Sequence, residues 1–151
     1  MPQSLAKVAL HLIFSTKNRT PWLKKPNIRA ELYAYMSSVL RAVDSPALLI
    51  GGVEDHVHIL CLLSRNYAIS KVVEEVKKQS SKWLKSKGAE LDNFYWQGGY
   101  GVFSVSESKI PGVRQYIQRQ EEHHKRFSFQ EEYRQICAKH GVQIDERYVW
   151  D

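Results

Sequence analysis

The chain has 151 residues, of which 43% are hydrophobic and 25% are charged. This length and composition are typical of one globular domain, so we predict a single domain over residues 1–151 with no room for a second catalytic domain. The net charge of +6 and the pI near 9.3 favour a polyanionic partner such as nucleic acid, although a basic protein with a solvated surface has the same charge.

Two features of the composition bear on the compartment. No run approaches the ~20 apolar residues of a membrane span, and the apolar start "VALHLIF" is short and followed by "STKNR". Cys61 and Cys137 lie far apart without paired spacing, which predicts two free thiols in a reducing compartment. We therefore expect a cytoplasmic protein with no membrane partner.

The N-terminal half predicts a strand, a helix and a hairpin, in that order. Residues 6–15 alternate apolar and polar side chains, which is the period of a strand. Between Pro26 and Val43 apolar residues recur at helical spacing, and Pro26 suits the opening turn. The apolar runs "PALLIGG" and "HVHILCLL" around Gly51 and Gly52 are typical of an antiparallel hairpin.

The C-terminal half predicts further helices and short β segments. A second amphipathic helix spans residues 69–87, has a lysine-rich outer face and ends at Gly88. "NFYWQ" and "GVFSVS" are short β-type runs around a "GGYG" turn, and a third helix starts at Pro111 and continues through "YIQRQEEHHK". Ser128 and Glu131 have the capping-box spacing of a last short helix.

This order of elements predicts an α+β fold. We expect a ferredoxin-like (RRM-like) antiparallel sheet with helices packed on one face, plus a C-terminal tyrosine-bearing helix and a short tail helix. Trp83 and Phe94 are expected in the core. Many nucleic-acid binders and many enzymes share this topology, so the function must be inferred from the site residues.

Two pairs of polar side chains are candidates for chemistry. In "EDHVHIL", His56 and His58 point to the same face of the predicted strand, which supplies half of a metal site. Tyr116 and Gln120 are four residues apart and lie on one face of the third helix. Taken alone, a strand histidine can be polar surface, Tyr116 can be buried against the sheet, and Gln120 can face solvent.

Jointly, His56-Val57-His58 and the helical Tyr116-x-x-x-Gln120 resemble the single-tyrosine HUH transposases of the insertion-sequence 200/605 class, which include repeat-associated tyrosine transposases. The resemblance covers nearly the whole chain, from "HLIFSTKNR" to the ending "DERYVWD". It implies that His56, His58 and Gln120 bind a divalent metal and that Tyr116 attacks single-stranded DNA at hairpin-bearing element ends. It also implies a homodimer with composite active sites, in which the tyrosine helix of one subunit lies against the histidine pair of the other.

These residue types suit the implied reaction. A tyrosine with a pKa near 10 is a weak nucleophile at neutral pH, and a metal on the scissile phosphate stabilises the charge of the transition state. Two imidazoles and an amide oxygen form a mixed N/O site that suits Mg²⁺ or Mn²⁺ better than structural zinc. The energy of the cleaved bond is retained in a 5′-phosphotyrosine, so rejoining requires no nucleotide hydrolysis. The absence of a nucleotide-binding G-x-x-x-x-G-K-[ST] motif agrees with this.

Basic and aromatic residues elsewhere are weaker candidates for DNA contacts. The cations expected to neutralise phosphates are Lys17, Arg19, Lys78, Lys82 and Lys85. The aromatics that could stack on unpaired bases, or equally belong to the core, are Trp22, Tyr95, Trp96 and Tyr100. His123 and His124 are more typical of surface charge at a helix end than of metal ligands.

Two interpretations remain open. One is the transposase, and another is a non-catalytic binder of single-stranded or hairpin nucleic acid on an RRM-like sheet, which leaves the histidine pair unexplained and lacks a basic-aromatic RNA-recognition motif. A histidine-triad nucleotide hydrolase is excluded because "HVHIL" has no third alternating histidine. The glycines of "QGGYG" predict either a tight turn or a hinge before the Tyr116 helix.

Overall fold

A computed structural model describes residues 2–151. Its central element is an antiparallel sheet in the order β2-β3-β1-β4, built from β1 (Ala9–Ser15), β2 (Ala47–Gly52), β3 (His56–Leu62) and β4 (Gly101–Val105). The helices are α1 (Pro26–Ala42), α2 (Ile69–Lys85), α3 (Ile110–Gln118), α4 (Gln120–His123) and α5 (Phe129–Lys139). This is the predicted α+β architecture, with the predicted first helix and hairpin in place.

One face of the sheet forms the main core. Because side chains alternate along a strand, Leu12 and Phe14 of β1 point to the same side as Val57 and Ile59 of β3. α1 and α2 pack together over this face and bury all four side chains completely or nearly so. This layer fixes the register of the two central strands and leaves the alternate residues on the opposite face.

The opposite face is covered by the C-terminal helices. Ile13 of β1 packs against Phe129 and other apolar residues of α5, while α3 contacts β2 and β3. A side chain at Gly51 would place its Cβ 2.8 Å from Ile117 Cγ2, so glycine allows α3 to approach the sheet closely. Helices therefore cover both faces of the sheet. The sequence pattern did not indicate on which face the C-terminal helices would pack.

The segment before β4 differs from the prediction. "NFYWQ" is not a strand, because Trp96 makes only an isolated bridge with Thr16. The glycine segment does not form a hairpin turn between two strands. Its backbone is fixed by the ammonium group of Lys77, which donates to the carbonyls of residues 97, 98 and 99 at 2.8, 3.3 and 2.6 Å. The backbone N–H of Gly98 also donates to the Asp151 carbonyl at 2.7 Å.

The predicted third helix is interrupted. Arg119 has φ −98° and ψ 19°, so α3 ends at Gln118 and α4 starts at Gln120. The predicted capping box of α5 is confirmed: the Ser128 hydroxyl accepts from the Glu131 N–H at 3.2 Å. α5 is therefore anchored at its first turn, the turn that carries part of the candidate site.

Two further expectations concern the whole chain. Cys61 and Cys137 are free, as predicted, and the structure buries both. Within residues 2–151, none of the helices is both long enough and apolar enough to span a bilayer.

Candidate metal centre

Three imidazoles and one carboxylate meet beneath the C-terminal helices. His56 and His58 come from β3, His124 follows α4, and Glu132 lies in the first turn of α5, with one possible ligand atom from each within 4.8 Å of the others. Glu132 Oε1 lies 3.2, 3.0 and 3.1 Å from the Nε2 atoms of His56, His58 and His124. The carboxylate is 1% exposed, so these contacts are shielded from solvent.

Gln120 joins the same cluster. Its Oε1 lies 3.1 Å from His56 Nε2 and 3.0 Å from His124 Nε2, and its amide N–H donates to Glu132 Oε2 at 3.0 Å. The fold thus brings together His56, His58 and Gln120, the three residues singled out from sequence. The break at Arg119 does not separate Gln120 from the site, because α4 directs its side chain onto the histidines.

Two members of the cluster were not predicted. The expectation that His124 is surface charge is wrong, since its side chain is only 10% exposed and contacts Gln120 and Glu132. Glu132 was missed, although a signal was present: it follows Phe129 by three residues and precedes Tyr133, on the apolar face of α5. A carboxylate among core positions of a helix needs buried partners.

Each β3 histidine is oriented by a second hydrogen bond at Nδ1. His56 Nδ1 lies 2.7 Å from the Asp55 carboxylate, and His58 Nδ1 lies 2.8 Å from Nε2 of buried His11 on β1. An imidazole bonded in this way at Nδ1 presents Nε2 to the cluster in a fixed direction. Asp55 and His11 are therefore positioning residues that the sequence pattern did not identify.

Tyr116 contacts the cluster through Glu132. Its hydroxyl donates a hydrogen bond to Glu132 Oε2, and its ring lies edge-on to His58 and His123 at centroid distances of 5.7 and 5.5 Å. The two oxygens of Glu132 thus have different partners: Oε1 faces the three imidazoles and Oε2 accepts from the phenol. The carboxylate links the tyrosine to the histidine cluster of the same chain.

The charges of the site follow from burial and these contacts. Burial opposes ionisation of Glu132, but the surrounding imidazoles outweigh it and hold its pKa well below the usual value. Burial also opposes protonation of His56, yet its hydrogen bonds to Asp55 and Glu132 raise its pKa to about 9. Burial and the Glu132 charge raise the pKa of Tyr116 well above its ordinary value, so its resting form is the phenol.

The donor set fits a divalent metal ion. Ligand atoms bound at about 2.0–2.2 Å from one ion are separated from one another by roughly 3.0–3.5 Å. The separations between Glu132 Oε1 and the three Nε2 atoms, 3.0 to 3.2 Å, fall in this range. The distances from Gln120 Oε1 to Nε2 of His56 and of His124 do so as well. Oriented imidazoles, a carboxylate and an amide oxygen could therefore hold such an ion.

The predicted DNA-contacting cations lie elsewhere. Lys78, Lys82 and Lys85 are on α2, in the layer on the opposite side of the sheet from the cluster. Lys78 pairs with Glu75 at 2.9 Å. Lys17 and Arg19 form the turn after β1, where Arg19 lies 5.8 Å from the Trp150 ring. None of these five residues contributes to the candidate metal centre.

The predicted stacking aromatics divide between core and surface. Trp96 is buried in the main core, and Trp22 packs against that core. Tyr95 and Tyr100 are 56% and 38% exposed, although the Lys85 ammonium covers the Tyr95 ring at 4.1 Å. Phe94 is fully buried and Trp83 is packed against the core, as predicted.

Fold and site together define an α+β protein with a candidate metal centre beside a tyrosine. The sequence model described as Transposase IS200-like matches residues 4–120, so the chain belongs to this family of transposases. The family predicted from the histidine pair and the Tyr116 helix is confirmed.

Solved structures agree on the fold. A candidate transposase from Deinococcus radiodurans R1 has a TM-score of 0.62 at 23% identity, over 80% of this chain and 95% of that chain. A REP-associated tyrosine transposase bound to a REP hairpin has a TM-score of 0.60 at 17% identity, over 82% of this chain and 73% of that chain. No curated protein sequence matches this chain significantly.

Proposed function

We propose that the protein is a metal-dependent DNA transposase that cleaves and rejoins single-stranded DNA through a 5′-phosphotyrosine on Tyr116. One observation carries the proposal: the Tyr116 hydroxyl and the imidazole cluster share the two oxygens of Glu132. A nucleophile must lie close to the ion that neutralises the phosphate it attacks. Membership of the transposase family makes DNA the substrate class.

The residues assigned to the metal are those predicted from sequence and two that the fold adds. His56, His58 and Gln120 are proposed ligands, and His124 and Glu132 extend the set. Of the two ions expected, Mn²⁺ suits this set better, because imidazole is a poorer ligand for Mg²⁺, which prefers oxygen. When bound, the ion would polarise the scissile phosphate and stabilise its developing negative charge.

The covalent step balances without a nucleotide cofactor. The Tyr116 oxygen forms a bond to phosphorus, the bond from phosphorus to the 3′ oxygen breaks, and the phenolic proton passes to water. The leaving 3′ oxygen takes up a proton and ends as a 3′-OH, while the 5′ phosphate stays on the tyrosine as a diester. Attack by a 3′-OH on that diester reverses the step and joins strands.

DNA hairpins are the proposed recognition element, and the homologous fold solved on a REP hairpin supports this choice. The α2 lysines and the turn with Lys17 and Arg19 remain candidates for phosphate contacts on such a hairpin. A homodimer also remains a prediction. The hydrogen bond from Tyr116 to Glu132 within one chain favours a site completed in that chain over an exchanged tyrosine helix.

The binder interpretation is less well supported. A non-catalytic protein with an RRM-like sheet needs an accessible sheet face on which bases can stack. Here His11, Ile13 and His58 on the second face are buried beneath the C-terminal helices, and the first face is the main core. The histidine cluster also has no role in such a binder.

Formation of a covalent adduct tests the proposal. The wild-type protein is incubated with Mn²⁺ and a library of hairpin oligonucleotides with randomised single-stranded flanks, then separated under denaturing conditions. We expect a protein–DNA adduct with wild type and none with Tyr116→Phe, which removes only the phenolic oxygen. Equal adduct in both proteins would assign the nucleophile to another residue.

A further inference from the structure

Two grooves meet at Tyr116. One, of about 500 Å³, runs between α3 and the end of α4 past Arg119, Arg126 and Phe127. The other, of about 870 Å³, runs between α3 and α5 past Lys109 and Lys139. Tyr116 and His123 line both grooves, so the proposed nucleophile lies at their junction.

His123 lacks a partner at this junction. Its Nε2 atom is buried and has no hydrogen-bond partner. Within residues 2–151, the Tyr33 hydroxyl is the other buried side-chain group without one. Glu132 Oε2 lies 3.3 Å away but outside hydrogen-bond direction. Buried polar groups are usually satisfied, so an unsatisfied Nε2 beside a groove is a candidate to bind a ligand atom.

The grooves carry cations that the protein does not neutralise. Arg119 and Arg126 line one groove and Lys109 and Lys139 line the other; all four are exposed, and none forms a salt bridge in the part of the chain that the structure describes. The carboxylate in the first groove, Glu122, is paired with Lys125 at 3.0 Å. Free positive charge on both sides of a nucleophile complements a polyanion that extends in both directions.

We propose that the two grooves form one channel for single-stranded DNA, with the strand on either side of the cleavage site in each groove and the scissile phosphate between Tyr116 and His123. This inference rests on the proposed function and names the surface that holds its substrate. The His123 ring turns from Glu132 toward the bound strand, so that its Nε2 donates a hydrogen bond to a non-bridging phosphate oxygen, while the four cations neutralise flanking phosphates. The strand released with a 3′-OH stays in its groove, which allows rejoining.

Binding of a fluorescent single strand without a hairpin tests the channel. All variants are made in Tyr116→Phe, so that no adduct forms, and anisotropy is followed against salt. Arg126→Gln and Lys139→Gln remove one cation from each groove; each should weaken binding roughly fourfold at 0.15 M salt and reduce the salt slope by about 0.7. Lys87→Gln, beyond α2 on the opposite layer, is the matched control and should change neither.

Three outcomes decide whether the grooves form the DNA channel. Loss of affinity in both groove variants but not in Lys87→Gln supports the channel. Unchanged binding in the double groove variant, or equally strong competition by blunt duplex DNA, overturns it. If wild type still forms the adduct while groove variants bind normally, the channel is wrong and the proposed function stands; if wild type forms no adduct, the proposed function fails.

His123 has its own test in the active protein. His123→Leu should slow adduct formation about 10- to 100-fold, the value of a hydrogen bond to a charged group, with single-strand affinity nearly unchanged. His123→Gln keeps an N–H donor and should recover most of the rate. Equal loss in both variants, with normal folding by circular dichroism, would overturn the phosphate contact.

Discussion

Replacing Glu132 by Gln tests the central carboxylate of the site. The substitution keeps the shape of the side chain and removes a charge that is 1% exposed and within 3.2 Å of three imidazoles. Removing one member of a buried ion pair costs about 3–5 kcal/mol, because the remaining charge loses its counterion. At about 2–4 °C per kcal/mol for a chain of this size, Tm should fall by roughly 6–20 °C.

The same variant tests metal binding. A ligand that binds only the folded state at 100 times its Kd raises the free energy of unfolding by about 2.7 kcal/mol, so Mn²⁺ should raise the Tm of wild type and EDTA should reverse the shift. Glu132→Gln should lose most of this shift, since the proposed ligand set loses its anionic member. Differential scanning calorimetry with and without Mn²⁺ measures both effects.

Glu131→Gln is the matched control. Glu131 is the exposed neighbour that closes the capping box with Ser128, and Gln serves equally at that position. Its Tm and its Mn²⁺ shift should match wild type within about 2 °C. If Glu132→Gln melts with wild type and keeps the full Mn²⁺ shift, the carboxylate neither balances the imidazoles nor binds the metal, and the reasoning fails.

Three further predictions concern the supports of the site. Asp55→Asn should weaken Mn²⁺ binding about 10- to 100-fold in a calorimetric titration, because it loosens the orientation of His56, and an unchanged Kd would remove its positioning role. Lys77→Met should lower the free energy of unfolding in urea by about 1.5–3 kcal/mol through the loss of three carbonyl contacts, whereas exposed Lys78→Met should change it by less than about 0.5 kcal/mol; equal effects would contradict this account. Mixing a chain that lacks the histidine pair with a Tyr116→Phe chain should not restore cleavage, because the hydrogen bond from Tyr116 to Glu132 lies within one chain. Rescue of cleavage in a verified heterodimer would instead establish that the subunits exchange their tyrosine helices.

Local patterns in the sequence predicted most of the elements and the first half of the site. The strand period places His56 and His58 on one face, and the four-residue spacing places Tyr116 near Gln120. Both relations depend on residues that are close in the chain, so no knowledge of tertiary packing was required. The ligands that join them through space, above all Glu132 on α5, depend on how that helix docks on the second face of the sheet.

The other differences between the predicted and the observed structure also arise from contacts between residues far apart in the chain. His124 was expected to be surface charge because its partners lie on other elements, and His11 meets His58 only because β1 pairs with β3. The break at Arg119 has no proline or glycine to announce it. Such features are set by long-range contacts, which override local propensity.

The polarity of the covalent adduct is the most direct test of the proposed chemistry. The same oligonucleotide is labelled at its 5′ end in one reaction and at its 3′ end in another, and the modified peptide is mapped by mass spectrometry after digestion. We expect the 3′-end label to stay with the protein on the peptide that contains Tyr116, while the 5′-end label is released on a fragment with a free 3′-OH. An adduct that retains the 5′-end label, or that maps to a different residue, would contradict the proposed chemistry.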